Sequence, residues 1–227
     1  MVRVIAGAVI GLGVLGGAGF AVLAAAEGGA VPGVASGAGR AALPQLDGES
    51  HLGAAGCKGP ICHTSADEQK NIYGDEWFLW HEEDNHSNAY RVLRSSESKR
   101  IARNLNSGKD PWQMRVCLDC HADNVPEELR GPKFQIANGV GCEACHGGSK
   151  RWLGTHDDGR THAQNLADGM YPTDDPFSRA VLCISCHFGN KDKFVTHRIM
   201  GAGHPRMSFE LQNFTNIQPP HFAIDED

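Results

Sequence analysis

Each of the eight cysteines belongs to a pair that a histidine follows at once. The clusters read Cys57-Lys58-Gly59-Pro60-Ile61-Cys62-His63, Cys117-Leu118-Asp119-Cys120-His121, Cys142-Glu143-Ala144-Cys145-His146 and Cys183-Ile184-Ser185-Cys186-His187. Only 12 of the 227 residues are histidine, so four adjacent placements are not accidental. Three clusters have the C-x-x-C-H form that attaches c-type haem; the first is stretched to C-x4-C-H. Two cysteines three apart on a short helix face one side, where each thiol can bond one vinyl group of a single porphyrin. The next residue then supplies an axial nitrogen to the iron. Lys58-Gly59-Pro60-Ile61 cannot continue a regular helix, so the first cluster must close its ring as a bulged loop. Zinc ribbons need no histidine directly after the second cysteine, and local disulfides explain no histidine at all. The competing account keeps three haems and gives Cys57 and Cys62 to a disulfide.

Four covalently bound haem c groups would consume every cysteine. They would also occupy the centre of a folded part of only about 177 residues. The expected fold is mainly α with long loops, a multihaem cytochrome c wrapped around four closely packed haems, with few or no strands. Ser65-Ala66-Asp67-Glu68 reads as a capping box opening a helix. Residues 96–105 read as another. Asp175-Pro176 supplies N-cap and first position for a helix through Phe177, Val181 and Leu182 that carries the fourth cluster. Ser208 is expected to cap residues 209–214.

Residues 1–26 form a separate segment. Arg3 is its one charge, and an unbroken apolar run over 4–26 ends in Ala24-Ala25-Ala26. This reads as a signal peptide, or as an N-terminal anchor if retained, because 23 apolar residues can span a bilayer. The Gly-rich run and its small-residue end favour removal. Residues 27–50 are a Gly/Ala/Pro-rich linker or tail, leaving residues 51–227 as the tetrahaem domain. The chain is thus expected to be exported, to the periplasm (membrane-anchored if the run stays) or outside the cell.

His63, His121, His146 and His187 are the expected proximal iron ligands. Eight histidines remain for the distal positions. His86 shares a helical face with Ala89, Tyr90 and Leu93, with Asn85 as cap, and so points inward. His156 follows Trp152-Leu153-Gly154-Thr155 just after the third cluster. His197 lies in an apolar-flanked short helix, and His204 in a Gly-bounded loop that lets backbone approach a flat ring. These four are the distal candidates. His81, in an acidic run, and His162, in a polar stretch, read as surface residues. His221 is a reserve. His51 is weak, its one use being to ligate a neighbouring subunit in a polymer. Met114, Met170, Met200 and Met207 are alternative ligands, but methionine more often fills gaps.

The order of these motifs, with the block Gly139-Val140-Gly141-Cys142-Glu143-Ala144-Cys145-His146-Gly147-Gly148, resembles the tetrahaem cytochromes c that accept electrons from hydroxylamine oxidoreductase. It also resembles the wider multihaem group that includes that enzyme. The resemblance covers roughly residues 51–209. It implies that His156, ten positions after His146, ligates the first haem, and that His86 ligates the third, stacking the two. It also implies a distal ligand of the fourth haem C-terminal to the fourth motif, where His197 and His204 lie. The widened first motif and the short C-terminal region depart from the family. So do two good candidates for the second and fourth haems, since in the family the second haem can lack a distal ligand.

The expected function is electron transfer: mostly bis-His haems relaying electrons between redox proteins as donor and acceptor, without enzymatic activity. The net charge of −6 argues against a nucleic-acid partner and suits a basic partner face. Two alternatives remain open at this stage. One is a haem enzyme with an open iron reducing a small nitrogen or sulfur species. The other is a self-assembling subunit of an extracellular cytochrome filament.

Overall fold

The structure, a computed structural model, describes residues 41–59, 62–67, 72–156 and 159–220. The apolar run, most of the linker and His221 lie outside these residues. The described part is mostly helical. A two-stranded antiparallel pair, β1 (Ser65–Asp67) and β2 (Ile72–Gly74), pairs Ser65 with Gly74 and Asp67 with Ile72. Residues 65–68 therefore open no helix. The apparent capping box leads into the polar run Gln69-Lys70-Asn71 and then Ile72-Tyr73, residue types that suit a strand.

Helix α1 (Glu76–Phe78) runs into a π-turn (Leu79–Glu83), and a 3-10 turn (Asn85–Asn88) leads into α2 (Ala89–Val92). Asp84, not Asn85, caps this turn, its side chain accepting from the His86 N–H. Helix α3 (Ser96–Asn104) is capped by Ser95, close to the expected span. Helices α4 (Arg115–His121), α5 (Cys142–His146) and α7 (Pro176–His187) each end on the histidine of a cysteine cluster. Asp175 caps α7 as its sequence position predicts, accepting from the Ser178 N–H. Helices α6 (His162–Ala167), α8 (His197–Gly201) and α9 (Leu211–Ile217) complete the set. Glu210, not Ser208, caps α9, since its carboxylate accepts from the N–H groups of Gln212 and Asn213.

Two small apolar clusters hold these pieces. Tyr90, Leu93, Leu118 and Ala122 bury the α2–α4 contact, with Trp112, Cys117 and Ile136 around them. Ile101, Leu105 and Ala202 join α3 to α8, with Met114 and Ile199 alongside. Fully burying a residue such as Leu93 is worth about 1.5–3 kcal/mol, so clusters this small stabilise pairs of elements rather than the whole. Polar clasps do the rest. The Asn104 amide donates to the Ala202 carbonyl at 2.8 Å, and the Arg198 guanidinium to the Leu105 carbonyl at 2.7 Å.

Residues 44–50, expected to belong to the tail, are part of this body. Residues Pro44–Leu46 form a 3-10 turn, the Gln45 amide donates to the Ala122 carbonyl at 3.0 Å, and Asp47 accepts from the Gly148 N–H at 3.2 Å. Composition alone hid this packing, because its partners lie about 77–101 residues away in sequence.

Candidate haem-binding site

The second, third and fourth clusters place their cysteines on α4, α5 and the end of α7, each with the histidine as the last helical residue. In the first, the described residues Cys57, Lys58, Gly59, Cys62 and His63 lie in no helix. The Cys62 N–H donates to the Gly59 carbonyl at 3.0 Å, and His63 follows in a turn. Sulfurs of different clusters meet: Cys57 hydrogen-bonds with Cys142, and Cys120 with Cys186. The first and third clusters are thus neighbours, as are the second and fourth.

The histidines form pairs. His63 and His156 lie 6.1 Å apart between ring centroids with planes 15° apart. His121 and His204 lie 6.3 Å apart at 73°, and His86 and His187 6.1 Å apart at 88°. A metal–imidazole bond of about 2.0–2.1 Å, with the nitrogen about 1.1 Å from the ring centre, puts two imidazoles on opposite faces of one metal roughly 6 Å apart. All three separations fit that geometry.

The second ring nitrogens are anchored in a matching way. Nδ1 of His63 donates to Glu76 at 3.0 Å, and that of His86 to Asp84 at 2.9 Å. Nδ1 of His121 donates to the Ala89 carbonyl at 3.0 Å, that of His156 to the Leu153 carbonyl at 2.9 Å, and that of His204 to the Pro205 carbonyl at 2.9 Å. A proton held on Nδ1 leaves the Nε2 lone pair available, and such outer partners fix tautomer and ring orientation for a metal ligand. The donor set therefore fits haem iron: cysteine pairs that could hold porphyrins and imidazoles oriented to offer Nε2.

Electrostatics support this assignment of roles. Burial lowers the His121 pKa against a smaller opposing effect of the Ala89 carbonyl, and His204 lowers it further. Burial and His86 also lower that of His187, so both rings stay neutral. The Asp84 hydrogen bond raises the His86 pKa despite burial. For Asp84 itself, burial acts upward, but the hydrogen bonds from His86 outweigh it and the pKa falls.

A cavity of about 280 Å³ connects these groups. His63, His156, His86 and His146 line it, together with Cys57, Cys142, Cys145 and Met170. The structure thus brings His156 to His63 and His204 to His121. It sets His86 against His187, a partner the family resemblance did not name. His197 is different: it is exposed as the first residue of α8, and among the described residues no ring lies against it. His81 is exposed and stacks on Trp77 at 4.5 Å, and His162 is exposed with Nε2 on Asp174 at 3.0 Å. Met114 packs between α3 and α8 as a gap filler.

His51 is the residue that sequence reasoning misjudged. It is fully buried, its Nδ1 lies 2.7 Å from Asp123 Oδ2, and its Nε2 lies 3.1 Å from the Pro44 carbonyl. Both nitrogens are held by acceptors, with Asp123 raising the ring's pKa, so neither is available to a neighbouring subunit's iron. Glu143, also buried, accepts from the N–H groups of Leu52 at 2.7 Å, Gly53 at 2.6 Å and Ser149 at 2.9 Å, and from the Ser149 hydroxyl. His51, Asp123 and Glu143 have ligand-type atoms within 4.8 Å of one another. The nitrogens of His51 and the oxygens of Glu143 are already committed, so the group joins elements and does not coordinate an ion. The His51 acceptor Asp123 lies 72 residues away, so no local pattern could have found it.

Residues 56–147 match the family described as cytochrome c554 and c-prime. Cytochrome c-554 of Nitrosomonas europaea is 33% identical over 78 residues, covering 31% of this chain and 32% of that protein. The chain therefore spans about a third of the length of the curated relative it matches. No solved structure matches. The chain resembles this family in sequence over its first three cysteine clusters.

Proposed function

We infer from this resemblance, and from three histidine pairs at iron-spanning distance, that the chain is an exported tetrahaem c-type cytochrome that relays electrons between redox proteins. Cys57, Cys62, Cys117, Cys120, Cys142, Cys145, Cys183 and Cys186 would hold the porphyrins as thioethers. The proposed axial pairs are His63 with His156, His121 with His204, and His187 with His86. His146 is the third proximal ligand, with His197 and His221 as the histidines left to face it. When bound, haem supplies a one-electron ferric–ferrous couple.

The chain's own residues then do two things. Glu76, Asp84 and the carbonyls of Ala89, Leu153 and Pro205 keep a proton on Nδ1 and aim Nε2. The sulfur contacts bring the first cluster to the third and the second to the fourth, close enough for electrons to pass between sites. The single observation that carries the reading is the pairing of rings at 6.1–6.3 Å, with Nδ1 engaged in five of the six rings. An open, substrate-binding iron has no comparable support.

The test is to produce the full chain in a host competent for c-type maturation and to combine intact mass with a pyridine haemochrome assay. Four covalent haems are expected, on a chain shortened by the leader or still carrying it. Three haems with a Cys57–Cys62 disulfide would revise the count, and a polypeptide of bare amino-acid mass would overturn the reading.

A further inference from the structure

Lys193 is placed where two haem-binding clusters meet. Its ammonium donates to Gln45 Oε1 at 2.8 Å, to the main-chain carbonyl of Asp119 at 3.0 Å and to Cys186 Sγ at 3.1 Å. The three partners belong to the N-terminal segment, to α4 and to α7. The position is built, not incidental. The Asn190 side chain accepts from the N–H groups of Asp192 and Lys193, and the Asn190 N–H donates back to the Lys193 carbonyl at 2.7 Å. Gly189, at φ +93°, closes this loop so tightly that a side chain there would meet the Lys193 carbonyl at 2.6 Å.

The charge has no carboxylate partner among the described residues. The Asp119 carboxylate is engaged by Arg115 and Asn124 instead. Both nearby sulfurs, Cys186 and its hydrogen-bonded neighbour Cys120, feel the ammonium. As thioethers those sulfurs would carry no charge, which would leave the ammonium as the charged group beside the residues that hold the porphyrins. The junction of the first and third clusters has the opposite character. There the buried Glu143 acts on Cys57, and its carboxylate is satisfied by neutral donors.

Resting on the haem-binding reading above, we propose that Lys193 is an electrostatic poising residue that holds electrons preferentially on the sites of the second and fourth clusters. A fixed cation stabilises the reduced, less positive state of a nearby iron. An internal step moves one electron, oxidising one ferrous iron as a neighbouring ferric iron is reduced, with no proton or bond changed. The cation biases that exchange toward its own side.

The experiment is a spectroelectrochemical titration of the haem-loaded full chain beside Lys193→Gln and Lys193→Arg, with haems counted by mass in each. Lys193→Gln keeps hydrogen bonding and removes the charge. It should lower one or two of the midpoint potentials, shifting their electron-sharing equilibrium about tenfold, or about 59 mV for one electron. Lys193→Arg should leave them near wild type. Should Lys193→Gln fail to retain its haems, Gln45→Glu sets a carboxylate against the same ammonium and should lower the same potentials. Unchanged potentials, or an equal shift of all of them, would overturn the proposal while leaving haem binding intact. A wild-type chain without covalent haem would instead remove the reading beneath it.

Discussion

Replacing Glu143 with Gln tests how the third cluster is tied to the rest of the chain. Glu143 lies between Cys142 and Cys145, yet its buried carboxylate gathers donors from Leu52, Gly53 and Ser149. An amide of the same shape can still accept at its oxygen, but its NH2 group must face an N–H donor on the other side. One carboxylate oxygen takes the Gly53 N–H at 2.6 Å, while the other takes the rest. Glu143→Gln therefore loses at least one charge-assisted bond, worth about 1.5–3 kcal/mol, and leaves a buried donor unsatisfied at about 1–3 kcal/mol. These costs overlap, so a loss of about 3 kcal/mol is expected. For a domain of this size that corresponds to a fall of roughly 6–12 °C in Tm. The assay is guanidinium unfolding of the haem-loaded protein, with haem count and m-value confirmed unchanged. A loss below about 1 kcal/mol would refute the view that this carboxylate clasps the N-terminal segment to the third cluster.

Three further outcomes follow from the same geometry. Burial pulls the His51 pKa down, but the hydrogen bond and charge of Asp123 outweigh it and the pKa is raised. Its contribution to stability is then fully present below the unfolded value near 6.5 and lost as pH rises through the folded value; His51→Gln should flatten unfolding free energy against pH over that window. Nearly parallel ligand planes at His63–His156, against steep angles at the other two pairs, should split the low-spin ferric electron paramagnetic resonance signal into one rhombic species and strongly anisotropic ones; a single signal type for all irons would count against these pairs. Gly139→Ala would place a Cβ 2.6 Å from the His86 carbonyl at a φ of +74°, so it should displace His86 and convert one iron to high spin, which absorption spectra would register.

The chemistry was legible in the sequence where it is local. Adjacent cysteines and histidines mark each proposed haem site within five to seven residues, and Asp175-Pro176 sets the start of α7 by itself. His156 and His204, singled out by neighbouring Trp and Gly residues, lie beside His63 and His121. What the chain could not reveal locally is pairing across distance. His86 faces His187 about a hundred residues later, and His51 finds Asp123 across 72. The acidic residues gave little warning either. Glu76 and Asp84 look like solvated charges until the fold sets them against the Nδ1 atoms of His63 and His86. The helix expected at residues 65–68 failed because a capping box opens a helix only when an apolar periodic run follows it.

Three of the four cysteine clusters end a helix, and the first does not. In α4, α5 and α7 the two sulfurs and the imidazole ride on one hydrogen-bonded turn, so they shift together as a stiff mount. The first cluster hangs on a loop, where the His63 N–H reaches the Cys57 carbonyl at only 3.4 Å and Thr64 ties back to Gly59. Three clusters are therefore mounted on helix ends, while the described residues of the first, with its wider cysteine spacing, are held by turn contacts.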